Sequence, residues 1–154
     1  MTVHSSSQQQ PVEGPVTTAS GNAWIQGGFL AIAILFNLCL TAQLLTVGLA
    51  VFSDSSWWQI HVWLVRGYSG LAGLLLIGTF LAPFPKRIQA LTKGIAILLI
   101  LQFVTAHVQQ PIPLGVIHPL VGFALFTTST TLVHKILSLI PDKSGDAPAN
   151  QWDV

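Results

Sequence analysis

Three of the five histidines in this 154-residue chain, His61, His107 and His118, stand at the ends of long apolar runs. His61 sits in "WWQIHVW" and His118 in "LGVIHPLVGF". Neutral imidazole is the commonest metal ligand, and two imidazoles from facing helices are what six-coordinate haem iron requires. Three of them also suit copper or zinc, since residue type alone does not fix the metal. Taken singly, each histidine equally fits an amphipathic anchor at a membrane boundary. Arg66 lies five residues beyond His61, inside the same apolar run. A charge in such a place needs a partner or a route to water. The residue stands about 7 Å along a helix from His61 at about 1.5 Å per residue. From there it either snorkels outward or meets an anionic group such as a haem propionate.

What must hold these residues is set by composition. Charged residues make up 7% of the chain and hydrophobic ones 51%, with mean hydropathy +0.67. Forty uncharged residues separate Glu13 from Asp54, and forty-one separate Lys93 from Lys135. Lipid, not water, suits such a surface. The net charge of +1 lacks the basic clusters of a nucleic-acid surface. Cys39 is the single cysteine, so no intramolecular disulfide forms.

A helical span of the hydrocarbon needs roughly 20 residues, and four segments reach that length. They run from about Trp24 to Phe52, Trp57 to Leu81, Ile88 or Leu91 to Val108, and Val116 to Ile140. Trp57 and Trp58 form an aromatic anchor, and Pro83, Pro85, Lys86 and Arg87 end the second span. Continuous apolar runs without alternation exclude a membrane barrel. The expected fold is an all-α integral membrane protein, an antiparallel four-helix transmembrane bundle over residues 24–140. Flexible tails are expected over 1–23, which lacks the marks of a signal peptide, and over 141–154.

Lys86, Arg87, Lys93, Lys135 and Lys143 oppose Arg66 alone, which places both termini on the cytoplasmic or stromal side by the positive-inside rule. A bacterial inner or thylakoid membrane is the expected setting. In an antiparallel bundle His61, His107 and His118 then share the outer level, while His134 lies at the opposite surface. Pro119 biases His118 away from helical geometry and suits the first turn of the last helix. Small residues must leave room for a porphyrin: Gly67 and Gly70 follow His61, and Gly122 follows His118 at a spacing of four.

An internal repeat pairs the first two spans with the last two. "QLLTVG" from Gln43 and "QFVTAH" from Gln102 share Gln and Thr at one spacing, with His61 and His118 following 18 and 16 residues after the glutamines. Such glutamines link membrane helices, each contributing about 0.6–2 kcal/mol.

Gln43, Thr46, His61, Gly67, Gln102, Thr105 and "IHPLVG" in a four-helix layout resemble small bacterial membrane proteins of b-type cytochrome character. More loosely, they are similar to one half of haem A synthase. The resemblance covers about residues 24–140 and implies a haem held by His61 and His118. The chain departs from haem A synthase in having no glutamate after Glu13, where that family places one beside its ligand histidines. Its oxygenation chemistry is therefore not carried over. It departs from di-haem cytochromes in having only His134 at the second face.

The leading expectation is a single b-type haem ligated by His61 and His118, with His107 in reserve, serving electron transfer or haem-dependent sensing with a redox partner. The alternative is a non-catalytic accessory or assembly subunit of a larger membrane complex. In a photosynthetic membrane its histidines would pack near chlorophyll or ligate it. No acidic relay within the spans points to a transporter, and whether the chain is an enzyme stays open.

Overall fold

The computed structural model describes residues 18–108 and 113–139, with side chains from residue 24 onward. Among them the chain is all-helical: α1 (Thr18–Phe52), α2 (Trp57–Leu81), α3 (Lys86–His107), a 3-10 turn (Leu114–Ile117) and α4 (His118–Leu137). Four stretches are long and apolar enough to cross a membrane: Trp24–Phe52, Trp57–Leu81, Lys86–His107 and Leu114–Leu137.

Local chemistry sets most of the ends. Helix α2 matches the expected bounds, ending where Ala82 turns extended before Pro83. Helix α3 begins earlier than expected, at Lys86, with Pro85 as its N-cap, whose carbonyl accepts the N–H groups of Ile88 and Gln89. Helix α1 reaches back to Thr18, whereas its apolar span starts at Trp24. Once a helix is nucleated, polar residues extend it at little cost. The expected end of the fourth span at Ile140 lies outside the described residues. In the α1–α2 connection, Asp54 Oδ1 accepts the Ser56 N–H at 2.6 Å. The Ser56 hydroxyl and backbone together hold the Asp54 carboxyl below its ordinary range.

The helices close a ring in which α1 packs chiefly on α2 and α3 chiefly on α4. The α2–α3 and α1–α4 contacts complete it, and among the described residues the backbones of the diagonal pairs do not approach closely. The buried stripes are spaced alternately by four and three. They comprise Phe29, Ala33, Phe36 and Leu40 on α1, Tyr68, Ala72, Leu75 and Thr79 on α2, and Ile88, Thr92, Ile95 and Leu99 on α3. This is the seam of helices crossing at a shallow angle. Across the α1–α4 contact, Asn37 donates to Ser129 at 3.2 Å and Thr130 at 3.0 Å.

Away from the histidines, Phe29 stacks on Phe84 with ring centroids 4.4 Å apart. Gly78 admits that ring, since a Cβ there would meet Phe29 Cδ2 at 2.7 Å. Gly78→Ala is expected to destabilise the fold by about 1–3 kcal/mol through overpacking. A Cβ on Gly73 meets nothing within 4 Å. Gly73→Ala should leave the detergent unfolding midpoint unchanged or slightly raised, and comparing the two midpoints checks the assignment.

Candidate functional site: two imidazoles on repeated scaffolds

The repeat seen in the sequence is a repeat in space. In the first half, Thr46 Oγ1 donates to the Gln43 carbonyl at 2.8 Å and lies 3.2 Å from His61 Nδ1. In the second, Thr105 Oγ1 donates to the Gln102 carbonyl at 3.1 Å and lies 3.2 Å from His118 Nδ1. Thr46 and Thr105 are both buried. Each threonine sits one turn beyond its glutamine, so the hydroxyl folds back onto the helix carbonyl and faces the imidazole of the next helix.

The glutamines link helices within each half, in different ways. Gln43 Nε2 donates to the His61 carbonyl at 3.0 Å, while Gln102 Nε2 lies 3.1 Å from His118 Nε2. The Oε1 atoms of Gln43 and Gln102 are buried without a hydrogen-bond partner among the described residues. Leaving such an acceptor unsatisfied costs about 1–3 kcal/mol.

His61 and His118 together line two adjoining cavities. One, of about 190 Å³, is also walled by Gln43, Gln102, Tyr68 and Gly122. The other, of about 280 Å³, is also walled by Val65, Arg66, Gln102 and His107. His107 is exposed, and its Nδ1 lies 2.8 Å from the Phe103 carbonyl one turn back. Among the described residues, no group of three or more His, Cys, Asp or Glu side chains is disposed to hold a metal ion. Arg66 is exposed and places its guanidinium 5.8 Å from the centroid of the Trp63 ring, a cation–π contact. His134 is exposed near the end of α4.

Of the three glycines expected to make room, Gly122 borders the histidines: a Cβ there would meet Gln102 Nε2 at 3.0 Å. Gly67 instead lines a shallow depression with Cys39 and Trp63, and Gly70 is exposed with nothing within 4 Å of an added Cβ. Helical phase explains this. At about 100° per residue, nine positions carry Gly70 to the face opposite His61 and six carry Gly67 well round the helix. The same arithmetic returns Tyr68, seven residues on, to within about 20° of His61. Sequence reasoning missed this single tyrosine of the chain, which its spacing from His61 would have revealed. One further departure concerns His118, which takes helical angles, φ −52° and ψ −46°, despite the proline that follows. The 3-10 turn before it delivers the chain in helical geometry, so His118 opens α4 with Pro119 in the first turn.

Residues 43–108 match the model of a family of unknown function (DUF6220). That stretch holds Gln43, Thr46, His61, Gln102 and Thr105 but stops short of His118. No curated protein and no solved structure matches the chain.

Proposed function

We propose that this chain is a multi-pass membrane protein of four antiparallel helices that holds one b-type haem between His61 and His118. The haem serves one-electron transfer or haem-dependent sensing. The observation that carries this reading is the duplicated Gln–Thr–His scaffold, which brings one imidazole from each half to the walls of the same two cavities. An antiparallel course supports it too, since the start of α2, the end of α3 and the start of α4 then meet at one level. The basic residues around the α2–α3 connection and the end of α4 favour termini on the cytoplasmic side of a bacterial inner or thylakoid membrane.

The residues present fit the group. Cavities of about 190 and 280 Å³ flank the ring pair, each below the roughly 300–1,000 Å³ usual for cofactor pockets, and Gln102 lines both, so a porphyrin would enter by displacing that side chain. His61 and His118 ligate. Gln102, whose amide lies on His118 Nε2, turns aside on its flexible side chain, and Gly122 gives that side chain its room. Arg66, on the wall of the larger cavity, would receive a propionate of a bound haem. Held by the two imidazoles, a haem would supply one-electron exchange rather than oxygen chemistry.

The test is the visible spectrum of the detergent-purified chain, oxidised and dithionite-reduced. Sharp reduced α and Soret bands are expected, and they should vanish in a His61→Ala, His118→Ala double variant. A chain that stays colourless with haem supplied, yet folds and co-purifies with a larger complex, would reject the haem reading. It would favour an accessory subunit whose histidines pack beside chlorophyll or ligate it.

A further inference from the structure

We infer that Thr46 and Thr105 are positioning residues that hold His61 and His118 in the tautomer protonated on Nδ1, so that each ring turns a bare Nε2 lone pair to the site. This deepens the haem reading and rests on it for the identity of the ligand. The tautomer itself is a property of the chain alone.

The argument is a count of protons. A threonine hydroxyl has one proton to give and lone pairs with which to accept. The Thr46 proton goes to the Gln43 carbonyl at 2.8 Å, so toward His61 Nδ1, 3.2 Å away, the same oxygen acts as acceptor. Nδ1 must then carry the proton. A neutral imidazole has only one, and Nε2 is left bare.

His118 reaches the same answer by three routes. Thr105 gives its proton to the Gln102 carbonyl and faces Nδ1 with a lone pair. His118 Nδ1 also lies 3.1 Å from that carbonyl, which can only accept. Its Nε2 lies 3.1 Å from the amide nitrogen of Gln102, which can only donate. That two halves of unlike sequence arrive at one hydroxyl-to-Nδ1 geometry sets it apart from incidental packing.

The consequence is a choice of ligand class. Two Nε2 lone pairs, that of His61 without a hydrogen-bond partner among the described residues and that of His118 accepting from the Gln102 amide, suit an electron-pair acceptor, as a porphyrin-bound metal is. A ligand presenting carbonyl oxygens, such as a quinone, would need N–H donors from the same rings. An outer hydrogen bond of this kind fixes ring orientation and raises ligand basicity, and its loss typically lowers metal affinity about 10–100-fold.

The experiment is NMR of the full-length chain with isotope-labelled histidine, in detergent without added cofactor. It is run near pH 8, above the ordinary imidazole pKa of about 6.5. His61 and His118 should each show an unprotonated Nε2. Thr46→Val should release His61 into a mixture of tautomers, and Thr46→Ser should restore it. Thr105→Val should act more weakly, because the Gln102 carbonyl still receives the His118 proton. Haemin titration of the same samples should show about a 10–100-fold loss for Thr46→Val, recovered by serine.

An Nε2-protonated His61 in the unsubstituted chain, or a tautomer indifferent to Thr46→Val, would overturn the inference. Nδ1-protonated rings in a chain that takes up no haemin would support the tautomer assignment and reject the haem reading alone.

Discussion

Replacing either His61 or His118 by glycine is expected to strip haem from the purified protein, and added imidazole is expected to bring the spectrum back. The expected loss of affinity is at least about 100-fold, the upper end of what losing a mere outer-shell partner does. Glycine is the substitution of choice because it leaves a ring-sized space between helices for free imidazole to enter. Its penalty in a helix, about 1 kcal/mol, is reduced near a helix start, and His118 opens α4 while His61 is the fifth residue of α2. Rescue separates ligation from anchoring. If the rings serve only as amphipathic anchors beside Trp58, whose ring lies 5.7 Å from His61, imidazole restores nothing spectroscopic. Retention of the full reduced spectrum in the His118→Gly protein would transfer the second ligand to His107, which lines the same larger cavity. A His107→Gly, His118→Gly pair would then complete the loss.

The glutamine, threonine and histidine of each half could be found in the sequence because polar residues are rare inside apolar spans. Their spacing also survives between halves that share little else. The inward face of each helix was hidden for the complementary reason. Both faces of these helices are apolar, so Phe36, fully buried, and Phe80, 78% exposed, look alike in a string of letters. Helical phase, not nearness in sequence, separates Gly67 and Gly70 from His61 and brings Tyr68, seven residues on, back to its face.

The second helix was readable to the residue, since a tryptophan pair and a proline pair bracket it. The 3-10 turn over Leu114–Ile117 was not, because "LGVI" satisfies an α-helix as readily as a tighter turn. Nor was the bond from Asn37 to Ser129 and Thr130. It joins residues 92 and 93 positions apart and depends on α1 and α4 closing the ring.

Phe36→Ala is expected to cause the largest loss of stability of any single core truncation, about 3 kcal/mol, at the low end of the range for buried phenylalanine. The low end applies on the proposed membrane reading, in which a helix gains little by removing apolar surface from lipid. What remains is the dispersion energy forfeited around a void. Phe36 is wholly buried, and its ring meets the edge of Tyr68 with centroids 5.5 Å apart. It lies seven residues before Gln43, so it underlies the face of α1 that carries the site. Tyr68 in turn walls the smaller histidine cavity. The void therefore opens beneath the smaller histidine cavity, and Tyr68 gains freedom to tilt into it.

Unfolding in detergent should show the full deficit for Phe36→Ala and about half of it or less for Phe36→Leu, which refills most of the volume. Phe80→Ala, facing outward, should change the midpoint little. If Phe80→Ala proved as costly as Phe36→Ala, the outward face would be packed against something other than lipid, and the four-helix ring would be one part of a larger assembly.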